Sequence, residues 1–229
     1  MAIHQPNLFP WLGFFHKMSV VDAFVLLDNV PFNRRGYQHR VQIADPPGSR
    51  WLTLPVRKKG RYGERTDQVQ LDETRDWRRE HEGSLRHAYA KTPGFDRWFP
   101  DVVELYRAPA ERLVEFTVPG IRWLMGGLGI GTEILIASDL VTGDLRSSEL
   151  LAALTLAAEG DVYVSGPSGR DYLDDEVFAR QGVGLEFTSF DPEPYPQTRQ
   201  TEFVPSLSSV DLLFNAPDGS PGWPPRGSR

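Results

Sequence analysis

A chain of 229 residues, 40% apolar and 24% charged, can bury a substantial core as one large domain or two small ones. Its formal charge of −6 speaks against sequence-independent nucleic-acid binding as the main task, because that needs a basic face to displace counterions. Cysteine is absent, which removes disulfides, thiolate catalysis and cysteine-based zinc sites together and fits a reducing compartment.

The first 28 residues read as strand, Pro-rich turn, helix and strand. A short apolar start (Met1 to Ile3) delivers His4 and Gln5, and Pro6 and Pro10 then forbid regular pairing. Trp11, Phe14, Phe15 and Met18 follow at roughly helical spacing, and Asp22 precedes the strand-like AFVLLD. Residues 30–43 alternate in their second half, DPPGS (45–49) is a turn, and WLTLPV (51–56) is a strand, so a hairpin is expected with the basic loop RKKGR (57–61) beyond it. Such a basic run is most simply a solvated loop. DQVQLD (67–72) reads as a further strand.

Thr74 or Asp76 can cap a helix containing Trp77, His81, Leu85, Ala88 and Tyr89. Helical patterns continue over about 97–107 and 109–127, where Pro119 predicts a kink or two shorter helices. GLGIGTEILIASDL (127–140) reads as a buried strand after a Gly-rich turn. The core helix ELLAALTLAA (149–158), strand DVYVSG (161–166), a helix near 174–180 and strand GLEFTSF (184–190) follow. That core helix is the most apolar stretch, and it has only about half the ~20 residues a bilayer needs. With no signal-peptide pattern at the start, a soluble cytoplasmic protein with no membrane partner is expected. The alternation predicts an α/β fold: a layered, partly parallel Rossmann-like sheet with an antiparallel hairpin insertion and a helical segment at about 74–127. Residues 1–215 form one domain in this reading, and the Pro- and Gly-rich 216–229 a disordered tail.

Open α/β sheets put ligands at strand ends beside helix N-termini, which makes His4 and Gln5 candidates; the plainer reading is that they satisfy buried backbone groups. His4 is a general-base candidate if a carboxylate such as Asp28 orients it. In VSGPSGRDYL (164–173), two glycines and two hydroxyls follow a strand, and backbone N–H groups with Ser165 and Ser168 can hold a phosphate or carboxylate. A tight βα turn explains that loop equally well, and it is neither a Walker loop nor a Rossmann fingerprint. The histidines show no metal-ligand spacing, and no metal is assigned. His81 is kept as a candidate substrate contact, although a histidine on the apolar side of a helix is more often a satisfied core residue. Tyr195 and Gln197 (YPQ, 195–197) suit a sugar, nucleoside or amide ligand, with turn packing as the competing account.

These blocks resemble the WbqC-like family from about residue 3 to 215: IHQPNLFPWLGFFHKM, VDAFVLLDNVPF, WLTLPV, SGPSGRDYL, YPQ and LSSVDLLFN, in that order. The family is associated with bacterial surface-polysaccharide and secondary-metabolite loci and looks like a set of tailoring enzymes without a settled general reaction. The resemblance puts weight on His4, Gln5, Pro6, Lys17, Asp28, Arg40, Ser165, Gly166, Ser168, Gly169, Tyr172, Tyr195 and Gln197. It departs from the family pattern at Pro31, where Gln is frequent, and at His39, where Asn is usual. The opening layout is also similar to nucleotidyltransferase-like and pantothenate-synthetase-like folds, but without their HxGH motif.

Three functions are carried forward. The first is transfer of an acyl or aminoacyl group to an amine on a sugar or small metabolite. His4 would be its base, Gln5 and the 165–169 loop would hold the donor, and Lys17 or Arg40 would bind an anion. The second is an amide ligase or nucleotidyltransferase-like enzyme that forms an adenylate from ATP with magnesium; no cofactor is otherwise readable. The third is a non-catalytic module binding a glycan or partner on an aromatic edge of Trp11, Trp51 and Trp77. Oligomeric state is not encoded in any feature of the sequence.

Overall fold

The computed structural model describes residues 1–140, 143–218 and 223. In chain order its elements are β1 (Ala2–His4), α1 (Leu12–Ser19), β2 (Ala23–Leu26), β3 (Arg40–Asp45) and β4 (Gly48–Thr53). Next come α2 (Trp77–Tyr89), α3 (Phe95–Arg107), α4 (Leu113–Leu128), β5 (Glu133–Ile136) and α5 (Ala137–Leu140). The chain then forms α6 (Ser147–Ala157), β6 (Val162–Ser165), α7 (Asp175–Arg180), β7 (Gly184–Phe187) and α8 (Val210–Asn215).

Five strands form one parallel sheet in the order β5-β2-β1-β6-β7, while β3 and β4 pair antiparallel as a separate ribbon. The chain builds outward from β1 through β2 to β5, then returns to the other side of β1 for β6 and β7. The β1/β6 boundary is therefore the topological switch point, where an open α/β sheet leaves a crevice beyond its strand ends.

Alternation along the strands divides the core. Ala2, Phe24 and Leu26 face α1 and the helical layer of α2, α3, α4 and α8; Ile3, Val25, Leu27 and Tyr163 face α6 and α7. The first cluster is rich in aromatic contacts, with Trp77, Tyr106 and Phe116 mutually edge-on or tilted at 5.0–5.9 Å between ring centres. Trp77 is thus core, and the expected aromatic edge keeps only Trp11 and Trp51 at the surface.

Several local readings change with tertiary context. Asp76 caps α2, accepting from the Arg79 N–H. Helix α4 runs unbroken through Pro119. Its start is fixed by the Glu115 carboxylate, which accepts from the N–H groups of Glu111 and Arg112, and buried Ile121 and Leu124 hold the turn beyond the proline. Residues 67–72 form no strand: a short 3-10 turn at Thr66–Gln68 leads into isolated bridges Val56–Leu71 and Gln70–Arg112. Of the tail beyond 215, positions 219–222 and 224–229, expected to be disordered, lie outside the described residues. Trp223 sits edge-on to Phe190, and the Pro217 carbonyl accepts from Arg97. No helix among the described residues is long and apolar enough to cross a membrane.

Candidate functional site

Strands β1 and β6 share a single register pair, Ala2–Val164, in which the Val164 N–H donates to the Met1 carbonyl at 2.8 Å. Carbonyls two residues apart point the same way, so a longer ladder would give the Ile3 carbonyl the next N–H of β6, that of Gly166. The strands diverge first, and the Lys17 ammonium takes that carbonyl at 2.8 Å. Lys17 is only 7% exposed. Burial pushes its pKa down to about 7, since among the described residues no carboxylate pairs with it to offset the lost hydration. Phe24 lies beneath it, 5.7 Å from Nζ to the ring centre.

The crevice is a cavity of about 420 Å³. His4 and Gln5 border it at the end of β1, Lys17 projects from α1, and Ser165, Gly166, Ser168 and Tyr172 border it at the end of β6. His4 and the Ser/Gly loop thus share one cleft. The His4 Nδ1 lies 3.1 Å from the Gln5 carbonyl, so the proton sits on Nδ1 and the Nε2 lone pair is left available. Burial, with the Lys17 charge adding to it, pushes the His4 pKa down to about 3, so the ring is neutral.

The loop has its own constraint. Ser165 is buried and hydrogen-bonded to the Tyr163 hydroxyl, and a Cβ on Gly169 would lie 2.2 Å from Ser165 Oγ. Glycine at 169 is what lets the 3-10 turn Pro167–Asp171 close over the strand end. Ser147, at the start of α6 with φ +49°, completes the rim.

A second cavity of about 320 Å³ shares His4 as its wall and is otherwise lined by residues including Asn7, Trp11, Tyr37 and Ser206. Trp11 owes its position to Gly13, where any Cβ would lie 2.2 Å from the indole. Helical spacing places Trp11 near α1, but the meeting of Tyr37 and Ser206 depends on contacts no local pattern carries.

Other sequence candidates lie elsewhere. Asp28 does not orient His4: its two carboxylate oxygens accept from the N–H and hydroxyl of Ser138 at 2.9 and 2.8 Å, tying β2 to α5. Burial raises its pKa against those bonds. His81 is enclosed in the helical layer, with Nδ1 3.1 Å from the Tyr106 hydroxyl and Nε2 3.1 Å from the Thr53 carbonyl. Tyr195 and Gln197 donate to the buried Asp211 carboxylate at 2.8 and 2.9 Å and so fasten a loop to α8. Burial raises the Asp211 pKa to about 6. Arg40 lies on the β3–β4 ribbon, stacked 4.5 Å over the Trp51 ring.

A family model described as the WbqC-like protein family matches residues 5–220. The chain belongs to the WbqC-like family. A relative from Mycobacterium tuberculosis (strain ATCC 25618 / H37Rv), named only as the uncharacterized protein Rv1507c, is 31% identical over 228 residues, covering 97% of this chain and 96% of its own. No solved structure matches. The match takes in the lining residues of both cavities from Gln5 onward, with Ile3 and His4 just ahead of it.

Proposed function

We propose that this WbqC-like protein is a tailoring enzyme that transfers an acyl or aminoacyl group to an amine, with the two substrates meeting at His4. The observation that carries this reading is that His4 lines two cavities, one with Lys17 and the Ser/Gly loop in its wall, the other with Trp11 and Tyr37. Two adjoining pockets that share His4 suit group transfer, which needs the two reactants held in contact. The donor occupies the switch-point cavity, its carbonyl oxygen or anionic handle held by Ser168 and the 165–169 loop. The acceptor amine occupies the second cavity and donates a hydrogen bond to His4 Nε2.

His4 alone is a weak proton acceptor in this setting, because burial disfavours its charged form. Lys17 has a pKa near neutrality and lines the same cavity, so it is the better-matched final acceptor. The amine nitrogen, oriented by its hydrogen bond to His4 Nε2, forms the new C–N bond, the donor's leaving group departs with its electron pair, and the amine gives its proton to neutral Lys17, which passes it to the leaving group. The role first given to His4 alone is therefore divided between a ring that orients and a lysine that holds the proton.

The absence of cysteine gives a clean test: thiol release from an acyl- or aminoacyl-thioester donor in the presence of amines has no protein background. Turnover that falls at least about 100-fold in both His4→Ala and Lys17→Met supports the reading. Retention of near-normal turnover in both variants refutes those roles. Amine-dependent release of AMP and pyrophosphate from ATP, with no thiol release, replaces direct transfer by adenylate chemistry.

A further inference from the structure

The second cavity opens beside a lobe whose charge opposes that of the rest of the chain. Residues 30–66 hold nine of the 25 lysines and arginines but only two of the 31 acidic residues, a local charge of +7 in a chain of −6. Several of these cations hold the lobe together. Arg34 donates to the carbonyls of Lys58 and Arg61 at 2.8 and 2.7 Å, and Arg61 and Arg65 pair with Glu64 and Asp67.

Arg40 is different. Its Nη2 reaches the Arg35 carbonyl, but its Nε is buried without a hydrogen-bond partner among the described residues. Its guanidinium covers Trp51, which is 42% exposed and lies 5.9 Å from the ring of Tyr37, itself 59% exposed. Tyr37 in turn lines the cavity that ends at His4. A shelf of cation, indole and phenol thus leads from the basic lobe to the reactive ring. The exposed parts of the Tyr37 and Trp51 rings favour a planar group, the Arg40 guanidinium over Trp51 favours an anionic oxygen, and the cavity beyond favours a small polar group. A free amine needs no cationic shelf, and a simple anion needs no aromatic one.

We propose that the shelf of Tyr37, Trp51 and Arg40, with the cavity of Trp11 and Ser206, binds a nucleoside-diphosphate-linked small molecule and presents its terminal group to His4. The base stacks on Tyr37 and Trp51, the diphosphate is held by Arg40 in the positive field of the lobe, and the carried group enters the cavity. This deepens the group-transfer reading, on which it rests, by naming the carrier of the acceptor amine.

The test is direct binding of UDP, dTDP, GDP and ADP to the full chain, by calorimetry and by quenching of tryptophan fluorescence. At least one is expected to bind in the micromolar to low millimolar range, more weakly as salt rises. Arg40→Gln and Tyr37→Ala should each weaken it about tenfold. Tyr37 is exposed and Arg40 half-buried, so thermal midpoints should stay within about 4 °C of the parent. Lys17→Met, in the other cavity, should leave the affinity unchanged. Absence of binding by all four at about 5 mM overturns the proposal. So does binding that survives Arg40→Gln and Tyr37→Ala but is abolished by Lys17→Met, since that puts the nucleotide at the switch point. The titration contains no donor, so its failure leaves the thiol-release result standing. Conversely, nucleotide binding that persists without thiol release removes the transfer reading and keeps this site.

Discussion

Lys17→Met is expected to stabilise the protein while disabling it. Burial moves the Lys17 pKa from 10.5 to about 7. At about 1.36 kcal/mol per unit, keeping its charge inside the fold costs on the order of 5 kcal/mol below pH 7. The sign follows from proton counting: between about pH 7 and 10.5 the unfolded chain binds more protons than the folded one, so stability rises with pH through that window. Methionine removes the charge at similar length and can pack on Phe24, which already lies 5.7 Å from Nζ. Against this stands the Ile3 carbonyl, which loses its 2.8 Å partner in a place the β6 ladder does not reach, a loss of about 1–3 kcal/mol.

The balance at pH 6 is a gain of about 3 kcal/mol, or about 6–12 °C in midpoint for a chain of this size. Thermal or urea unfolding of both proteins from pH 6 to 10, followed by circular dichroism, reads it directly. The gap should narrow steadily above pH 7 as the parent loses its penalty. A variant less stable than the parent at pH 6, or a gap independent of pH, would refute the argument that a buried, uncompensated ammonium sits at the switch point.

Other expectations follow from the same structure. The thiol-release rate should rise with pH through an apparent pKa near 7, and a flat profile between pH 6 and 8 would remove Lys17 as the proton acceptor. Asp211, raised from 3.8 to about 6, favours the fold fully below about pH 4 and loses that contribution as pH rises through 6, about 3 kcal/mol in all; Asp211→Asn should flatten this slope in unfolding titrations. Gly169→Ala should cost about 1–3 kcal/mol and weaken donor binding, because its methyl meets Ser165 Oγ at 2.2 Å; calorimetric donor affinity equal to the parent's would mean the loop does not hold the donor. His81→Ala should destabilise by about 2–4 kcal/mol through loss of its bonds to Tyr106 and Thr53 yet leave the turnover of folded protein unchanged, as active-site titration would show.

The strand ends were legible because their chemistry is local. Pro6 and Pro10 stop β1 after His4, and Gly166 and Pro167 stop β6 after Ser165, so each polar cluster sits where its own sequence ends a strand. The adjacency of β1 and β6 was not legible, since it depends on the order in which distant segments join the sheet. Residue type also misleads where partners lie far along the chain. His81, Tyr195 and Gln197 have side chains suited to a ligand, but Thr53, Tyr106 and Asp211 already occupy them. Asp28 is similar: nothing near it in sequence announces that Ser138 will take both its oxygens. The position of Lys17 could have been read more closely. On α1 it lies three residues after Phe14 and next to Met18, inside the buried stripe, so helical periodicity alone placed an ammonium on an apolar face.

The fold and the site share one origin at that lysine. Where the strand order of a parallel sheet reverses, two neighbouring strands separate, and here the separation leaves a backbone carbonyl without its ladder partner. An apolar fold would cover the gap; this chain fills it with a charge that burial opposes. The ammonium satisfies the Ile3 carbonyl and at the same time faces a cavity containing His4 and the Ser/Gly loop. A neutral donor such as Gln could satisfy the same carbonyl without the charge penalty. Lys17→Gln therefore separates the two roles: if the lysine is only a structural donor, the variant folds and turns over normally, and if it also holds the proton, the variant folds as well or better and is inactive. Its thiol-release rate, set beside its midpoint at pH 6, decides between the two, and a stable, active variant would leave the buried charge without a function.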